Sequence, residues 1–138
     1  MSTTSPDETG SNKSVKFTAT QADASLMMQI LNGPLAASAT NGLSVLWSYD
    51  EPPTREQLLA DHPMGSQGYK DVTAVLMLNE TIGTFVKQGL LDRGLVYDLF
   101  WIQGGWQRCR AIALYDREKS GVPALYENFE ALAQGQTD

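Results

Sequence analysis

YKDVTAVLMLNETIGTFVKQ, residues 69 to 88, is the stretch whose periodicity decides the fold. Val72, Val75, Asn79, Ile82 and Val86 recur at spacings of three, four, three and four. That rhythm puts all five on one face of an α-helix. Leu76, Leu78 and Phe85 widen the apolar face. The reading is a buried amphipathic helix over Tyr69 to Gln88, stopped by Gly89, since glycine accepts the left-handed conformation that commonly ends helices.

Working outward, the same signals repeat on both sides. Thr20-Gln-Ala-Asp23 resembles a capping box, so a first helix begins after Thr20 with Ala24, Met27, Met28 and Leu31 on one stripe. Asn32-Gly33 stops it, and Pro34 suits the first turn of a second helix running to about Trp47. Small residues along that second helix, among them Ala39 and Gly42, predict close packing against a neighbour. Thr54 caps a short helix, Arg55 to Ala60, and Asp61 to Gly68 reads as loop. Beyond Gly89, a short helix ends near Phe100, and Gly104-Gly105 is expected to break the chain. Trp106 to Lys119 forms the next helix, with Trp106, Cys109, Ile112 and Ala113 facing inward. Pro123 is expected to open a last helix edged by Leu125, Tyr126, Phe129 and Leu132. No alternation of period two is long enough for a strand, Leu43 to Trp47 being only a mild candidate. The fold class is therefore all-α, a compact bundle of about five to seven helices. Residues 1–17 are too polar to bury a core and read as a disordered tail, 18–134 as one helical domain, and 135–138 as a short C-terminal tail.

From Leu76 to Ala133 the sequence carries an ordered set of landmarks: Leu78-Asn79-Glu80-Thr81-Ile82-Gly83, Val86-Lys87-Gln88-Gly89-Leu90-Leu91-Asp92, Leu95-Val96-Tyr97-Asp98-Leu99-Phe100, the lone Trp106, Arg117, and Pro123 through Ala133. In these the chain resembles an uncharacterised bacterial family of short helical domains of unknown function. The resemblance implies a helical fold and transfers no catalytic residues.

Composition removes several functions. The 138 residues carry a net charge of -6, with 10 Lys and Arg against 16 Asp and Glu, a balance that repels nucleic-acid phosphates. The final helix carries Glu127 and Glu130 and no cation, which argues against a helix-turn-helix reading of Trp106–Ala133. A single cysteine, Cys109, and a single histidine, His62, leave too few ligands for a zinc or iron centre, so no metal and no cofactor are expected. One cysteine also precludes an intrachain disulfide and fits a reducing compartment, giving an expectation of a cytoplasmic protein. Leu26 to Trp47 is uncharged, but its polar residues and the Asn32-Gly33-Pro34 break argue against a membrane span.

A few residues remain as candidates. Glu80 borders the apolar stripe, where a carboxylate needs a partner. It reads as an ion-paired clamp with Arg108, Arg110 or Arg117, the alternative being a general base. Those arginines read as the polar face of one helix. Asn79, inside the stripe, reads as a core residue bonded to backbone. Asp98 reads as a cap or an arginine partner. Phe100-Trp101-Ile102 places three large apolar residues in a row, and adjacent helical positions point about 100° apart, so one face cannot bury all three. Either the triplet is a buried crossing, or Trp101 and Ile102 reach the surface and mark a partner-binding patch. The functional expectation is a non-catalytic protein-interaction module that binds another protein or a second copy of itself, and no enzyme. The alternative is a small-molecule binding or sensing domain, with Met27, Met28, Met64 and Met77 lining an adaptable cavity.

Overall fold

The structure is a computed structural model that describes residues 16–136. Among these, the chain forms seven helices and no strand: α1 (Gln21–Leu31), α2 (Pro34–Leu46), α3 (Arg55–Asp61), α4 (Gln67–Lys87), α5 (Arg93–Leu99), α6 (Ile102–Ser120) and α7 (Glu127–Gln134). The all-α expectation holds. Most of the expected N-terminal tail lies outside the described residues, as do residues 137 and 138.

Local chemistry sets the helix starts. Thr20 and Asp23 form the reciprocal capping box, and Thr54 and Gln57 form another at α3. Ser66 caps α4 and Asp92 caps α5 by accepting from a backbone N–H three residues on. α4 is the central rod. Its buried face is Val72, Ala74, Val75, Leu76 and Ile82, close to the predicted stripe, although Val86 is only half-buried.

α2 lies along α4, and α7 crosses the other end of it. Both crossings depend on glycine. A Cβ on Gly42 would stand 2.1 Å from the Asp71 carbonyl oxygen, and one on Gly83 would stand 2.5 Å from that of Asn128. The small residues of α2 do pack closely, with Ala36, Ala39 and Gly42 buried. α6 closes the bundle, touching α3, α4 and α7. Trp106 and Phe129 meet edge to face at 5.1 Å in the core between α6 and α7.

Two predicted boundaries are corrected. Gly104-Gly105 does not break the chain; α6 starts at Ile102 and runs through both glycines. Gly104 is there for space, since a Cβ would lie 2.4 Å from the Trp101 indole folded back over it. Pro123 does not open the last helix either. Residues 122 to 126 form turns, Tyr126 adopts a left-handed φ of 64°, and α7 starts at Glu127. That conformation is unfavourable for a bulky residue, and tertiary contacts hold it: the Tyr126 hydroxyl donates to Asp116 (3.1 Å), and Arg117 Nε donates to the Leu125 carbonyl (2.7 Å). At the C-terminus, the Gln136 side chain accepts from the Gln103 N–H (2.9 Å) and donates to the Phe100 carbonyl (2.9 Å), so the packed fold continues past Gln134.

Candidate functional site

The Phe100-Trp101-Ile102 triplet divides three ways. Ile102 is buried, which corrects its assignment to a partner surface: it is the first residue of α6 and points into the bundle. Phe100 is half-buried. Trp101 is 58% exposed, the feature that makes this a surface site.

Trp101 does not stand alone. The C-terminal end of α2 brings Trp47, itself 44% exposed, to a ring separation of 5.8 Å with the planes inclined by 32°. Under Trp47 sits Arg108, its guanidinium carbon 4.0 Å from the ring centroid. Arg108 is buried and faces no carboxylate. It donates instead to the carbonyls of Tyr49 (2.7 Å), Leu46 (3.2 Å) and Asp50 (3.4 Å). The Leu46 carbonyl ends α2 and the other two follow it, at the negative end of its dipole, so a cation there is well placed. This overturns the reading of Arg108 as part of a solvated polar face. Arg110, by contrast, is exposed as expected.

The indole pair borders a groove of about 280 Å³ between α2, α4 and the start of α6. Val75 and Ile82 of the α4 stripe form its floor, Leu43 and Leu78 its partly exposed walls. Asn79 is the polar feature. Its Nδ2 donates to the Val75 carbonyl (2.8 Å), the backbone bond expected of it, and its Oδ1 remains as an acceptor at the groove wall. An apolar concavity with a single polar handle is the usual form of a recognition site.

Glu80 plays a different part from the one predicted. Its Oε1 accepts from the backbone N–H groups of Asn128 and Phe129, both at 2.9 Å, and its Oε2 from Asn128 Nδ2 at 2.8 Å. It caps α7 from α4 and meets no arginine. Both oxygens are occupied, so the geometry gives Glu80 no free base. Arg117 pairs with Glu130 (2.8 Å), also on α7. Asp98 is exposed with no bonded partner among the described residues.

The remaining titratable groups are structural. Asp116 accepts from the hydroxyls of Tyr69 (2.6 Å) and Tyr126 (3.1 Å); burial, then Asp116 itself, pushes both phenols up. Burial and then Asp61 push Tyr49 up to about 12. Burial also raises the Cys109 thiol, which donates to the Gly105 carbonyl and is inert as a nucleophile. The methionines do not share a cavity: Met27 is core, while Met28, Met64 and Met77 are about half exposed. Among the described residues no cluster of His, Cys, Asp or Glu could hold a metal, and no helix is long and apolar enough to cross a membrane.

In comparison with known families, residues 19–136 match a domain of unknown function (DUF4760). The chain belongs to this family. The DUF4760 match takes in every helix, and with them Trp47, Trp101, Arg108 and the whole groove. No curated protein and no solved structure matches the chain.

Sequence reasoning found Trp101 and Asn79, gave Arg108 the wrong role and missed Trp47. The signal for Trp47 was faint: an aromatic at the end of a helix, just before a Pro-Pro stop. Arg108 carried no signal, because its partners are backbone carbonyls some sixty residues away in the chain.

Proposed function

We propose that this DUF4760 chain is a non-catalytic protein-interaction module whose Trp47–Trp101 groove receives an apolar side chain from a segment of another protein. One observation carries the reading: two half-exposed indoles, one of them held from beneath by a buried arginine, flank a groove with an aliphatic floor. Exposing tryptophan costs solvation free energy, and a paired, pre-oriented display of it is typical of binding hot spots. Pre-orientation lowers the entropy lost when a partner docks.

The groove lining holds no charged residue and is mostly apolar, so the partner segment is apolar at its anchor. Nucleic acid is disfavoured by the net charge of -6 and by Glu127 and Glu130 on α7. A single buried, protonated cysteine supports a reducing compartment such as the cytoplasm.

The test is photo-crosslinking in the native cell, with a photoreactive residue at Leu43 on the groove and, as control, at Glu56 on α3. A discrete protein captured from Leu43, not from Glu56, and lost on Trp101→Glu supports the reading. Capture that is equal from both positions, or indifferent to Trp101→Glu, contradicts it. Capture of the chain by itself would assign the groove to self-association.

A further inference from the structure

We infer that a second cavity, at the opposite end of α4 from its N-cap, binds the carboxylate of a small acid with a short aliphatic tail. The cavity holds about 300 Å³ between the last turns of α4, α5 and α7, and shares no lining residue with the tryptophan groove. It goes beyond the proposed interaction role.

Two exposed cations, Lys87 and Arg93, face this cavity, and neither is ion-paired among the described residues. The ion pairs among the described residues are Arg55–Glu118 and Arg117–Glu130. Acidic residues outnumber basic ones 16 to 10 in the chain, yet two cations line this one cavity. Two carboxylates beside lining residues are engaged elsewhere. Asp92 caps α5 through the Leu95 N–H (2.9 Å) and accepts from the Thr18 hydroxyl, while Glu80 caps α7. Lys87 suits the last turn of α4, where a cation meets the negative end of the helix dipole. Arg93 has no such reason: it is the first residue of α5, at the positive end.

The walls define the ligand. Val86 and Leu132 are apolar. The Tyr97 hydroxyl donates to the Leu132 carbonyl (2.7 Å), and Asn128 Nδ2 donates to both Glu80 (2.8 Å) and the Thr84 hydroxyl (3.2 Å), so both side chains have acceptors left to offer and no donors. The anion therefore sits against the two cations. A guanidinium matches a planar carboxylate through two parallel hydrogen bonds. A phosphate would call for a ring of converging donors that these walls lack. The volume is at the small end for ligand sites, which limits the tail to a few carbons.

The test is a nuclear magnetic resonance titration of the isotope-labelled full chain with hexanoate, with hexanol and inorganic phosphate as comparison probes. Hexanoate is expected to give saturable shifts at the amides of Gly83, Lys87, Arg93 and Gly135. The Lys87→Gln/Arg93→Gln double variant is expected to weaken binding at least about tenfold, or about 1.4 kcal/mol, with unchanged circular dichroism and melting. If the double variant alters the melt, Arg93→Gln alone is the comparison. The inference is overturned by absent saturation, by equal binding of hexanol or phosphate, or by variants that bind as the parent does. Tighter binding of a tripeptide with a free C-terminal carboxylate than of hexanoate would also overturn the small-acid assignment.

Discussion

Replacing Arg108 by methionine tests how the groove is built. Methionine keeps the length of the stem and removes the guanidinium. Three carbonyls at the end of α2 lose a donor, two of them at 2.7 and 3.2 Å and the third at a weaker 3.4 Å. Hydrogen bonds from a charged donor contribute about 1.5–3 kcal/mol each, so the two short ones together hold about 3–6 kcal/mol. The stacking of the cation under Trp47 adds about 1 kcal/mol. Against this, the variant no longer buries a charge, a penalty of several kcal/mol before compensation, and the methionine fills the space with apolar atoms. The net expectation is a loss of about 3 kcal/mol, or a melting temperature lower by about 10 °C for a domain of this size. Urea unfolding measures the first and calorimetry the second. Because Arg108 orients Trp47, near-ultraviolet circular dichroism should also lose intensity from the tryptophans while far-ultraviolet helix content stays. Arg110→Met, two positions along and exposed, serves as the control and should change stability by less than about 0.5 kcal/mol. A loss in Arg108→Met no larger than in Arg110→Met, with an unchanged tryptophan signal, would refute the reasoning.

Glu80→Ala strips three hydrogen bonds from the start of α7; a destabilisation of about 3 kcal/mol is expected, with hydrogen exchange fastest at Asn128 and Phe129, and a neutral result would show that α7 caps itself. Gly104→Ala sets a Cβ 2.4 Å from the Trp101 ring; the fold should survive with Trp101 displaced, seen as a red-shifted tryptophan emission, and an unshifted spectrum would deny the packing role of the glycine. Tyr49, Tyr69 and Tyr126 all have phenols raised by burial and a neighbouring aspartate. Groups raised in the folded state contribute stability that is complete below their unfolded value, about 10, and fades as pH climbs toward the folded one. Denaturant midpoints should thus hold steady through neutral pH and fall above about pH 10, and a flat profile through that range would contradict the tyrosine–aspartate contacts.

The parts of this fold that could be read from sequence are those whose causes are local. The α4 stripe depends on spacing within one segment, and the Thr20–Asp23 box depends on four consecutive residues. The misread parts depend on distant residues. Gly104-Gly105 looks like a break until the Trp101 indole is placed over Gly104. Pro123 looks like a helix start until Arg117, Asp116 and Glu80 are seen to fix the turn after it and the helix beyond. Arg108 looks solvated because charge is usually outside, and the chain gives no notice that the end of α2 will offer it three carbonyls. For the site, half was visible: a row of three apolar residues announced an excess of surface to bury, but the pairing of Trp101 with Trp47 is made by tertiary packing alone.

The central claim is that the Trp47–Trp101 groove is the binding surface, and the most direct measurement is calorimetric titration of the crosslinked partner, once purified, into the parent chain, Trp101→Glu and Arg110→Glu. The groove account predicts that Trp101→Glu loses at least about 2 kcal/mol of binding free energy, roughly a thirtyfold rise in Kd, with its fold intact, while Arg110→Glu binds like the parent. Equal affinities for all three chains, or a greater loss in Arg110→Glu than in Trp101→Glu, would contradict it.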